Sequence, residues 1–157
     1  MKFPPKNIHS TNDLLIEQMV RPATHQIFSS KMICIWLVDG HDDYRQLQSD
    51  MLNAEAGVMC ARHCHSAETV LTALKFERAP DVILLDMEMP RSSGLEAIRP
   101  ILKLAPDTHL VMMGAFFNHS RQEKAFAEGA CGFLIKGLAG AEIVAAIKVM
   151  IPSLLLH

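Results

Sequence analysis

The chain has 157 residues, 50% of them hydrophobic and 20% charged, with a formal net charge of −2. That length suits one domain with a hydrophobic core, and the near-neutral charge excludes the basic footprint of a stand-alone nucleic-acid binder and any electrostatic draw to an anionic membrane. No apolar run approaches the roughly 20 residues that span a bilayer, and Met1-Lys2-Phe3-Pro4-Pro5-Lys6 has no apolar core behind it to make a secretory signal.

Residues 1–30 read as an N-terminal extension that docks on the domain or on a partner. Phe3-Pro4-Pro5 is held extended by its prolines. Ser10-Thr11-Asn12-Asp13 supplies capping side chains to a short helix carrying Leu14, Leu15, Ile16, Met19 and Val20, and Arg21-Pro22 ends it.

Residues 31–152 read as the domain proper. Met32 to Val38 is a continuous apolar run, the pattern of a strand buried on both faces. Asp43 to Ala56 places Tyr44, Leu47, Met51 and Leu52 at helical spacing, with Gly57 as a stop. Val58 to Ala61 is a second strand and Ser66 to Arg78 a helix with a serine cap, broken by Ala79-Pro80-Asp81. Val82 to Leu85 is a third strand. Leu95 to Leu104 is helical in pattern, with Pro100 inside it to remove a backbone bond and kink it. His109 to Met113 is a fourth strand, and Ser120 to Glu128 a helix closed by Gly129. Gly132 to Ile135 is the fifth strand, and Ala141 to Ile151 a last helix stopped by Pro152. Residues 153–157 form a tail.

Strands thus alternate with helices five times. This predicts an α/β protein, a three-layer α/β/α sandwich around a five-stranded parallel sheet. Such sheets bind ligands beyond the C-terminal ends of their strands. Asp39 follows the first strand, Asp86-Met87-Glu88 the third, Gly114-Ala115 the fourth and Lys136 the fifth. Carboxylates gathered at one edge suit a hard divalent cation such as Mg2+, and a lysine facing them suits a phosphoryl group. One aspartate at a strand end is more often a cap or a turn former. Acids after two strands with a lysine after the fifth are hard to explain as independent caps.

Three segments resemble a known family. Ile35-Trp36-Leu37-Val38-Asp39-Gly40-His41 is similar to the opening of a response regulator receiver domain. Leu84-Leu85-Asp86-Met87-Glu88-Met89-Pro90 with Ser93-Gly94-Leu95-Glu96-Ala97-Ile98 resembles its phosphorylation loop. Gly129-Ala130-Cys131-Gly132-Phe133-Leu134-Ile135-Lys136 resembles its closing strand and lysine. The resemblance runs from about Met32 to Ile151 and is strongest to the branch whose full-length members end in a helix-turn-helix DNA-binding domain. It implies a CheY-like fold with strand order 2-1-3-4-5, a phosphoacceptor at Asp86 and a phosphoryl contact from Lys136. It implies a metal site of Asp39, Asp86 and Glu88, with the Glu88 side chain over the site, and switch positions at Gly114, Ala115 and Phe133. It further implies a cytoplasmic, non-enzymatic regulator in two-component signalling and transcription, with a sensor histidine kinase or phosphotransfer protein as partner. A homodimer through Ala130–Ile151 follows from the family's habit and from the apolar Ile143, Val144, Ile147 and Met150.

The chain departs from the family in two serious places. The second acid after strand one is replaced by Gly40, which should weaken Mg2+ binding. The Ser or Thr at the end of strand four is replaced by Gly114, which cannot bond a phosphoryl oxygen and so puts the usual switch in question. A milder one is Gly137, where many members carry proline. Asp42 and Asp43 are nearby acids but belong to the start of a helix. The departures keep a phosphorylation-independent interaction module as the alternative. An unrelated phosphatase on the same architecture ranks last, for want of residues to build a substrate cap. Cys60-Ala61-Arg62-His63-Cys64-His65 invites a zinc reading, but no second ligand pair follows at finger spacing. The four cysteines read as reduced thiols and the ten methionines as core filler.

Overall fold

The computed structural model describes residues 31–156. The helix expected within residues 1–30 lies outside them. Five strands form one parallel sheet: β1 (Ile33–Val38), β2 (Val58–Cys64), β3 (Val82–Asp86), β4 (His109–Gly114) and β5 (Gly132–Ile135). The order across the sheet is β2-β1-β3-β4-β5, as the family resemblance implies. The helices are α1 (Asp42–Asn53), α2 (Ala67–Phe76), α3 (Gly94–Leu104), α4 (His119–Glu128) and α5 (Gly140–Met150), with a short 3-10 turn at Pro152–Leu155.

Strand periodicity divides the core. In β3, Ile83 and Leu85 face the layer of α2, α3 and α4, with Trp36, Val38, Leu110 and Met112 beside them. Val82 and Leu84 face the opposite layer with Ile35, Leu37, Val111 and Met113. All five residues of β3 are buried, so it is the sheet's most enclosed strand and carries Asp86 at its end. Burying one such aliphatic side chain is worth about 1.5–3 kcal/mol, which is why the strand runs as unbroken apolar sequence.

The polar ends depart most from the sequence pattern. β2 continues through Arg62 and His63 to Cys64, pairing with β1 except at Ala61, where the register shifts between Ile35 and Trp36. Across that irregularity the strand changes face, so Cys60 packs with Ile35 and Leu37 and Cys64 in the opposite layer with Trp36 and Val38. α3 runs unbroken through Pro100 as far as Leu104. The apolar surplus read on α5 is mostly absorbed at home: Ile143, Val144 and Ile147 are buried against the sheet, because two layers must be covered by few helices. They are not free to meet a second copy.

Candidate functional site

The strand ends expected to carry chemistry meet in one open cleft. Its lining includes His41, Tyr44, Asp86, Glu88, Pro90, Ala115 and Lys136. Asp39 and Asp86, on neighbouring strands, are both fully buried (0% exposed).

Asp39 is held from three sides. Its N–H donates to the Cys64 carbonyl at 3.0 Å, its Oδ1 accepts from the His41 N–H at 2.8 Å, and its own carbonyl accepts from Arg45 Nη1 at 2.7 Å. The His41 ring turns back so that Nδ1 lies 3.1 Å from the same Oδ1. Asp42 and Asp43 open α1, as the helix dipole favours, and Asp42 pairs with Arg45.

Asp86 is held more loosely. Its Oδ1 accepts from the Glu88 N–H at 3.0 Å. Its Oδ2 lies 3.0 Å from Lys136 Nζ, an ion contact, and has no other partner. Burial pushes the carboxyl's pKa up, and the Glu88 N–H and the Lys136 charge offset that only in part. Lys136 Nζ donates to Asp39 Oδ2 at 2.6 Å and stands 4.8 Å over the Tyr44 ring. Burial alone would lower the ammonium's pKa, and the bonds and charges of the two aspartates outweigh it, so the lysine is held protonated. Two buried carboxylates thus share one ammonium, which leaves one negative charge to attract a cation.

Glu88 lines the cleft, yet its carboxylate turns to Arg121 of α4, with Oε1 2.6 Å from Nη1. A second Arg121 nitrogen donates to the Met87 carbonyl at 3.3 Å. Glu88–Met89 pairs antiparallel with Ser92–Ser93 across a turn made by Pro90 and Arg91, the latter at φ +75°. Pro90 closes over Gly40: a Cβ at residue 40 would lie 2.3 Å from the proline Cδ. A side chain there would require the Pro90 loop to shift.

At the end of β4, Gly114 and Phe133 share one space, and Phe133 meets Phe117 edge-on with centroids 6.3 Å apart. The Lys136 N–H donates to the Gly114 carbonyl at 2.9 Å, fixing where the lysine leaves β5. Sequence reasoning missed the roles of His41, Arg45 and Arg121. His41 had one readable signal, its spacing of two from Asp39; the arginines had none.

Comparison with known proteins matches residues 35–148 to the response regulator receiver domain. The chain is 34% identical over 119 residues to the response regulator GacA of Pseudomonas viridiflava, covering 76% of this chain and 55% of that protein. It is 27% identical over 117 residues to the DNA-binding transcriptional activator DevR/DosR of Mycobacterium tuberculosis, covering 74% and 54%. The signal receiver domain of the putative response regulator NarL from Mycobacterium tuberculosis superposes with a TM-score of 0.67 at 25% identity, covering 74% of this chain and 94% of that one. The chain therefore spans about half the length of the curated relatives it matches.

Proposed function

The chain belongs to the response regulator receiver domain family, a signalling module of two-component systems, and on that premise we propose that Asp86 is its phosphoryl acceptor. The observation that carries this is the Asp86 Oδ2 oxygen. It is buried at the end of the central strand, and its one close partner is the Lys136 ammonium at 3.0 Å.

Asp86 attacks phosphorus with a carboxylate oxygen while the bond from phosphorus to the donor breaks. The electron pair leaves with the donor, a phosphohistidine nitrogen or the oxygen of a small acyl phosphate, and the product is an acyl phosphate on Asp86. Lys136 then exchanges part of its bonding from Asp39 to a phosphoryl oxygen. A charge-assisted bond of that kind is worth about 1.5–3 kcal/mol. Receiver domains typically take Mg2+ on acidic residues. Here Asp39 and Asp86 fit a divalent cation, since they set two buried carboxylates against a single ammonium. When bound, the ion neutralises phosphoryl oxygens during transfer. Arg45 fixes the Asp39 backbone, and Arg121 fixes the Met87–Glu88 loop.

The donor in this proposal is a sensor histidine kinase or phosphotransfer protein, and the event is one stoichiometric modification, not turnover. Residues 31–152 form the signalling unit. The readout is a separate partner or an output domain, in keeping with the DNA-binding relative. A homodimer through Ala130–Ile151 draws support from the exposed Ile135 and Val149; sedimentation showing one monomer mass at all concentrations removes it. A cytoplasmic site is proposed from the family; among the described residues no helix is long and apolar enough to cross a membrane.

The test is acetyl phosphate with a divalent cation, read by intact mass. The wild type should gain one phosphoryl group and Asp86→Asn none. No gain in the wild type, or an equal gain in both, overturns the assignment.

A further inference from the structure

We infer that the acceptor cleft binds a divalent first-row transition ion in preference to Mg2+, with the His41 imidazole taking the ligand place that Gly40 leaves empty of a carboxylate. The inference deepens the phosphoryl-acceptor assignment and rests on it for the ion's purpose. The binding itself stands on three side chains.

Donor atoms of Asp39, His41 and Asp86 lie within 4.8 Å of one another, and among the described residues this is the one group of three or more His, Cys, Asp or Glu side chains so placed. His41 Nδ1 and Asp39 Oδ1 are 3.1 Å apart. Two ligands each about 2.1 Å from a metal and set at about a right angle are separated by about 3 Å, so the pair already has the edge length of a coordination shell. The buried Asp86 Oδ2 oxygen has one close partner, the Lys136 ammonium at 3.0 Å, and a carboxylate oxygen has a lone pair left for a second. The charges agree, with two carboxylates against one ammonium.

Ligand type then decides which ion. Mg2+ wants an octahedron of oxygens and dehydrates reluctantly. Imidazole adds little for that ion and much for Mn2+, Fe2+, Co2+ or Zn2+, in rising order toward the later metals. Residue 40 offers no carboxylate and lies under Pro90, so the site as it stands has two carboxylates and one imidazole. The His41 side chain is 65% exposed, which leaves its ring free to swing from a hydrogen bond with Asp39 to a shared metal.

The experiment uses the full chain with Mn2+ alone and no phosphodonor, by pulsed electron paramagnetic resonance with Mg2+ in competition. The wild type should show 14N coupling from a directly bound imidazole. His41→Asn keeps a capping residue at the start of α1 and supplies an oxygen. It should lose the coupling and bind Mn2+ about tenfold more weakly or worse, with Mg2+ affinity changed by less than about twofold. His63→Asn should keep the coupling. His41→Gln repeats the test if His41→Asn fails to fold. Absence of 14N coupling in the wild type, its persistence in His41→Asn, or equal Mn2+ affinity in the two overturns the inference and leaves His41 as a brace for Asp39. A wild type that binds Mn2+ through His41 but takes up no phosphoryl group supports this inference and sinks only the acceptor assignment.

Discussion

The Phe133 ring fills the space that a side chain on Gly114 would need: a Cβ there would lie 2.9 Å from the ring's Cζ. The family's hydroxyl and this aromatic position cannot both be satisfied as the chain stands. Gly114→Thr should therefore cost about 1–3 kcal/mol through overpacking, measured by urea unfolding. Adding Phe133→Ala removes the clash, so the double variant should cost less than the sum of the two single variants. Strict additivity would show that the ring is not the obstacle.

Gly40 and Pro90 stand in the same relation on the other side of the cleft. Restoring the missing acid with Gly40→Asp alone should not tighten Mg2+ binding in a calorimetric titration. The double variant with Pro90→Ala should, because the carboxylate then has room. Tightening in the single variant would show that the loop yields easily.

Acid stability should be set partly by Asp81. Burial alone would raise its pKa, but its Oδ2 accepts from the Cys34 N–H and its Oδ1 from Lys31 Nζ, both at 2.9 Å, and these hold it below the ordinary value. With the folded pKa depressed, the unfolded chain takes up the proton first as pH falls. The stabilisation is thus full at neutral pH and is lost from about pH 4 downward through the folded value. Asp81→Asn should cost about 1.5 kcal/mol at pH 7 and show a shallower decline of Tm below pH 4 than the wild type. Parallel curves would contradict this.

Arg121 is predicted to restrain the Met87–Ser93 loop more than it stabilises the fold. Its pair with Glu88 is partly exposed, so Arg121→Met should cost about 1 kcal/mol or less. Amides in the stretch Met87–Ser93 should nonetheless exchange faster by hydrogen–deuterium mass spectrometry. Unchanged exchange would show that the loop is held by its own ladder.

The sheet was legible from sequence because its inner strands are almost wholly buried and read as apolar runs, and the alternation of five strands with helices leaves few topologies. Asp39, Asp86 and Lys136 were legible for the same reason, each following such a run. What stayed hidden depends on contacts between residues far apart in the chain or on side-chain direction. Arg121 reaches Glu88 across 33 residues, Pro90 lies on Gly40, and the His41 ring folds back on Asp39. No local period encodes these. The end of β2 was hidden because an edge strand tolerates Arg62 and His63 where a central strand would not.

The bond from Lys136 to Asp39 joins residues 97 apart in the chain. Closing so long a loop carries an entropic cost that is repaid only when the intervening strands are already in place. The shared ammonium should then be among the last contacts to form as the chain folds. An incompletely folded or C-terminally clipped molecule would keep Asp86 but lack the lysine to which the proposed acceptor role assigns the phosphoryl contact. Chemical competence in this domain is thus a certificate of finished folding, and partly synthesised or proteolysed chains should not draw phosphoryl groups away from intact ones.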